Sequence, residues 1–222
     1  MVGLAGGVAI CPLSLIIFNN MIARIQEVCK KIQDELVMNL AIHHELYSLV
    51  AKAEYLEELV KKSAEGAGLS SDWTPNFNHA VGTDQTISGL RISNKSGEFQ
   101  SEGKRKAKWA NSVRITGSRT SKYQDFYDKL EFLSGDHYDC TIACATDKKE
   151  WKEGKKIYHF IALPHVDYMD MLWDEETRKT CIEEHPDIFA WIGSESVSGQ
   201  LYTKFKSNKF LYYHKIDLSD LI

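Results

Sequence analysis

Asp84, Ser93 and Lys95 are the residues of this chain whose types and spacing could do chemistry. They lie in residues 81–97, which read V-G-T-D-Q-T-I-S-G-L-R-I-S-N-K-S-G. Ser88-Gly89 is a turn signal, and beyond it Leu90, Ile92 and Asn94 alternate with Arg91, Ser93 and Lys95. A period of two puts Arg91, Ser93 and Lys95 on one face of a strand and Leu90 and Ile92 on the other. Asp84 enters from the neighbouring segment, nine residues before Ser93. A carboxylate, a hydroxyl and an ammonium at one point suit metal-dependent phosphodiester hydrolysis. The carboxylate holds a hard divalent cation; the lysine orients or deprotonates water, or stabilises developing negative charge. The plain alternative is a hairpin with a solvated polar face.

The elements that must position these residues follow from periodicity. From Met21 to about Ser63 apolar residues recur at helical spacing: Ile25, Val28, Ile32, Leu36 and Leu40, then Leu46, Leu49, Val50, Ala53, Leu56 and Val60. His43-His44 is read as a break between two helices; adjacent histidines face different ways on a helix, which favours solvated or capping roles over a joint metal site. Glu57 falls on the apolar stripe of the second helix, whereas Glu54 and Glu58 turn outward, and a core-facing carboxylate is rarely left unpaired. Residues 66–78 are a loop by composition. Residues 122–133 read as a helix, residues 138–146 and 157–163 as core strands joined by a charged loop, 168–184 as a helix and 189–192 as a short strand. The segments 196–202 and 209–216 close the chain as polar and β-prone stretches. The order predicts an α/β or α+β domain built on a mixed sheet.

Composition sets the outer limits. A chain of 222 residues with 43% hydrophobic content suffices for one domain with one sizeable core. The net charge of -4 excludes a general polycation but not a nucleic-acid binder, because the distribution of charge matters more than its sum. Residues 103–122 carry Lys104, Arg105, Lys106, Lys108, Arg114, Arg119 and Lys122 with no acid among them. Such a run is either a solvated face or a groove that tracks phosphates. Ser118-Arg119-Thr120-Ser121 adds small donors suited to phosphate contacts. Five cysteines, an odd number without close pairing, read as reduced cytoplasmic thiols, with Cys140 and Cys144 in the core. The first twenty residues contain no charged side chain, three glycines and a mid-run proline. They lack the basic start of a secretory signal and make a poor membrane span. We read residues 1–20 as an apolar extension that need not be native, with a membrane anchor as the alternative, and 21–222 as a single domain.

An Asp, a short gap and Ser-x-Lys on a strand resemble the active-site motif of the PD-(D/E)xK nucleases, the fold of most type II restriction endonucleases. Asp84 matches the first acid, Ser93 the position where the usual form has Asp or Glu, and Lys95 the lysine; Gly82-Thr83 stand where the name-giving proline would be. The resemblance covers about residues 45–164 and implies a restriction-endonuclease-like mixed central sheet flanked by helices, with residues 165–222 serving recognition or dimerisation. It further implies a magnesium-dependent, site-specific cut in double-stranded DNA by a cytoplasmic homodimer without organic cofactor. In that reading Asp84 ligates the metal, Ser93 offers a neutral oxygen, and Lys95 activates water. Some Ser-x-Lys enzymes take the missing acid from a helix after the lysine, a position that falls near Ala107, Lys108 and Trp109 here and supplies none. Glu57 is the stronger replacement and second metal ligand, Asp125 the other candidate. A non-catalytic DNA-binding protein and a membrane-tethered interaction protein are the rival readings.

Overall fold

Ile25, Val28, Cys29, Ile32, Leu36 and Leu40 are all buried, and their spacing of three and four is one stripe of one helix. That helix, α1, spans Pro12–Leu46. It therefore runs straight through Met21, where the sequence pattern suggested a start, and Ile16, Ile17 and Phe18 stand exposed on the added turns. The computed structural model describes residues 12–73, 82–98, 112–114, 131, 134–146, 148–165, 173–174, 179–180, 188–192, 199–204 and 210–222.

The break between helices comes just after the histidine pair. α2 spans Glu54–Gly66 and buries Leu56, Val60, Ser63 and Ala64. Leu46 and Leu49, placed by spacing on an apolar stripe, are exposed, Leu46 as the last residue of α1 and Leu49 in the connection that follows. His43 Nε2 and His44 Nδ1 lie 3.0 and 2.9 Å from the carbonyl oxygens of Leu49 and Tyr47, so both histidines serve the end of the helix.

Beneath the helices lies a six-stranded sheet. β1 (Ser71–Asp72), β2 (Gln85–Ile87) and β3 (Leu90–Glu98) lead to β5 (Cys140–Thr146), β6 (Ile157–Pro164) and β11 (Tyr212–Asp217), in the spatial order β1-β2-β3-β5-β6-β11. The β3–β5 pair is parallel and every other pair antiparallel, so the sheet is mixed and the fold α+β. Cys140 to Thr146 is buried at every position, as the apolar run suggests for a strand covered on both faces. The short helix α3 (Lys148–Lys152) occupies the charged connection between β5 and β6. β4 (Ser112–Arg114), β9 (Ile188–Ile192) and β10 (Gly199–Lys204) form a second sheet in the order β4-β10-β9. β7 (Trp173–Asp174) and β8 (Lys179–Thr180) pair as a ladder, which corrects the helix expected over 168–184.

Two faces of the main sheet differ. Ile87, Leu90, Ile92, Cys140, Ile142, Cys144, Tyr158, Phe160 and Ile216 join the α1 and α2 stripes in one core. Ala143, Ile161 and Leu163 belong to the opposite face and pack with Phe210. Both β5 thiols are core residues, as expected, and burial pushes each up to about 12. β11 and the residue before it tie back to α1: Tyr212 donates its hydroxyl proton to Gln33 Oε1, and Gln26 Nε2 donates to the Leu211 carbonyl at 2.9 Å.

The end of α1 carries a pH-sensitive contact. The Tyr158 hydroxyl accepts from the Ala51 N–H at 3.0 Å and lies 2.8 Å from His44 Nε2. A neutral His44 with its proton on Nδ1, donating to the Tyr47 carbonyl, lets Tyr158 donate to Nε2 and leaves every group satisfied. Burial chiefly holds the His44 pKa below its ordinary value, with the positive charge of Lys156 acting in the same direction. For a base depressed on folding, the unfolded chain binds the extra proton, so stability falls as pH drops from about 6.5 through the folded-state value. Thermal melts between neutrality and pH 5 should show this loss, and His44→Gln should flatten it; an identical slope in the variant would assign the effect elsewhere.

Candidate active site

Ser88 and Gly89 take up φ of 48° and 77°, the left-handed pair that a two-residue hairpin turn requires. This turn sets the register Gln85 to Ile92, Thr86 to Arg91 and Ile87 to Leu90. One step further along, the Asp84 N–H donates to the Ile92 carbonyl at 2.9 Å, bringing Asp84 alongside Ser93.

The geometry there is convergent. Asp84 Oδ2 accepts from the Ser93 hydroxyl at 3.2 Å, from the Asn94 N–H at 2.5 Å and from Lys95 Nζ at 3.2 Å. Lys95 Nζ also donates to the Asn94 carbonyl at 2.9 Å, which fixes the ammonium at the carboxylate. The Asp84 and Lys95 side chains retain 15% and 22% exposure, enough for a ligand to reach the pair while water screens it only partly. All three bonds fall on Oδ2; among the described residues Oδ1 accepts none, which leaves an oxygen for a cation.

Glu57 reaches this site through a backbone device at the start of α2. Ser96, just beyond Lys95 on β3, accepts the Ala53 N–H at 3.1 Å. Ala53 precedes α2 with φ 48°, a left-handed conformation that alanine adopts only under constraint. Glu57 then sits in the first turn, its N–H donating to the Ala53 carbonyl at 3.1 Å, and its Oε2 accepts from Trp73 Nε1 at 3.0 Å. Burial is the largest influence on the Glu57 carboxyl and raises its pKa; the Trp73 bond opposes it, and Asp84 and Lys95 add their opposite pulls. The charges of Asp84 and Lys95 thus reach Glu57, while the hydrogen bond to its carboxylate comes from Trp73.

Arg91 goes elsewhere. Although it shares a strand face with Ser93 and Lys95, its guanidinium lies 2.5 Å from Asp136 Oδ1 and 2.7 Å from Asp139 Oδ1, and its N–H donates to Asp139 Oδ2 at 2.8 Å. Hydrogen bonds from Arg91 hold the Asp136 carboxyl below its ordinary range. Arg91 thus stitches the start of β3 to the approach of β5 and keeps the strand that carries Lys95 in place.

Lys104, Arg105, Lys106, Lys108, Arg119, Lys122 and the alternative acid Asp125 lie outside the described residues, and Arg114 is described only as backbone in β4. Among the described residues no group of three or more His, Cys, Asp or Glu side chains could hold a metal ion. One or two carboxylates with open oxygens nevertheless suit magnesium, which keeps several waters and borrows phosphate oxygens; they do not suit zinc, which wants a closed nitrogen or sulfur set. Trp73 was missed in the sequence because it sits in a Ser/Gly-rich connection that reads as loop, and no local signal marks it. No family model, curated protein or solved structure matches this chain.

Proposed function

We propose that this protein is a magnesium-dependent endonuclease that cuts double-stranded DNA at a short specific sequence, as type II restriction enzymes do. The observation that carries the reading is the convergence of Ser93, Lys95 and the Asn94 N–H on one oxygen of Asp84. Glu57, half-buried in the first turn of α2, is the further carboxylate that feels the charges of this pair. Asp84 and Glu57 would hold the magnesium ion, which when bound supplies charge neutralisation and a more acidic water. Lys95 orients the attacking water and offsets the negative charge that builds on the phosphorus oxygens. Ser93 keeps Asp84 in place rather than replacing the second acid of the usual motif. The same reading implies a cytoplasmic homodimer on a palindromic site. Among the described residues no helix is long and apolar enough to cross a membrane.

The deciding experiment is cleavage of plasmid and phage DNA with magnesium against a chelator control. Discrete fragments that vanish with the chelator support the reading; DNA binding without cleavage under any divalent cation supports the non-catalytic alternative.

The basic segment has its own expected result. Changing Lys104, Arg105 and Lys106 to Glu should weaken binding to all sequences alike and flatten the dependence of affinity on salt, because phosphate contacts release counterions without reading bases. An unchanged salt slope would make these residues a solvated face and move DNA contact to the C-terminal third.

A further inference from the structure

The sheet face beneath α1 and α2 is largely apolar but carries two buried amides. Gln85 is 2% exposed and Asn94 5%, and both nitrogen and both oxygen atoms of their amides are buried with no hydrogen-bond partner among the described residues, as is Ser71 Oγ. Gln85 lies opposite Ile92, and Asn94 follows two residues later on the same face, so the two amides are diagonal neighbours across the hairpin. Ser96, the next residue on that face, anchors the start of α2. The amides therefore lie beneath the helix whose first turn carries Glu57. Native interiors seldom leave whole amides unpartnered; polar interiors of this kind hold ordered water.

Asn94 links both halves of the candidate site. Its N–H donates to Asp84 and its carbonyl accepts from Lys95, while its side chain lies on the α2 face of the sheet. We infer that Asn94 and Gln85 are positioning residues that hold ordered water beside Glu57, and that this water forms the outer shell of the divalent cation held by Asp84 and Glu57. The inference rests on the metal-dependent reading above and extends it to two residues that touch neither substrate nor metal. Partners in that outer shell commonly change metal affinity by about 10–100-fold.

The test is direct titration of the full chain with manganese alone, by calorimetry, in the wild type and in Asp84→Ala, Asn94→Leu and Gln85→Met. Asn94→Leu and Gln85→Met should each weaken manganese binding about tenfold or more, with saturating metal recovering most of the cleavage rate. Asp84→Ala should abolish binding. If the wild type binds manganese and Asp84→Ala does not, while both amide variants bind within about twofold of wild type and melt higher, the amides are idle and this inference alone falls; the tenfold scale sets that margin. If the wild type binds no manganese, this inference and the nuclease reading fall together. Should neither amide variant fold, magnetisation transfer between water and the Asn94 and Gln85 side-chain amides in the wild type decides the matter: its presence supports the ordered water, and its absence overturns it.

Discussion

Asp84→Ala and Lys95→Ala are each expected to lower DNA cleavage by orders of magnitude while the folded chain keeps much of its DNA affinity. Losing a metal ligand or the water-orienting cation costs several kcal/mol of barrier, and each ~1.4 kcal/mol is tenfold in rate. The two variants should differ in how they fail. Without Asp84, the Asn94 N–H and the Lys95 ammonium lose their shared acceptor, so added magnesium should not restore activity. Without Lys95, Asp84 keeps its bonds from Ser93 and Asn94, and metal binding should survive while catalysis does not. Rates measured across a magnesium series would separate the two. Retention of more than about a tenth of wild-type activity in either variant would falsify the assignment, since that is less than ~1.4 kcal/mol of barrier.

The second large effect is expected at Glu57. Glu57→Gln keeps the side-chain shape and an oxygen for the Trp73 indole to donate to, but removes the charge. It should lower activity at limiting magnesium and raise the magnesium concentration needed for half-maximal rate. Trp73→Phe, which removes the bond to Oε2 without touching the charge, should produce a weaker shift in the same direction. The competing design uses Asp125. If Glu57→Gln cuts normally at limiting magnesium and Asp125→Asn does not, the metal site is completed from the later segment and the Glu57 role is wrong.

Some of this site was legible because local rules suffice for it. The Ser88-Gly89 turn and a period of two place Asp84, Ser93 and Lys95 together. Other parts depend on partners far along the chain. Arg91 looks like a site residue by alternation, but its carboxylate partners lie 45 and 48 residues away. Asn94 falls on the apolar face by the same alternation, and nothing local shows that its amide and that of Gln85 go unpartnered there. Residues 168–184 were misread because helical spacing over a short, charged stretch competes with cross-strand pairing of residues such as Trp173 and Thr180, and pairing is invisible until both strands are placed.

β11 gives the molecule an order of assembly. It is the outer strand beside β6, whose residues Ile157 to Leu163 are all buried. Until residue 217 has left the ribosome, the unpaired β6 edge is an invitation to aggregate, and α1 lacks its bonds to Leu211 and Tyr212. Once docked, β11 presents His214, Lys215 and Asp217 along that border, charged or polar side chains that discourage a stranger's strand from adding on. Among the described strands β11 is thus the one that seals α1, and a chain that has not yet docked it carries a sheet still open along β6.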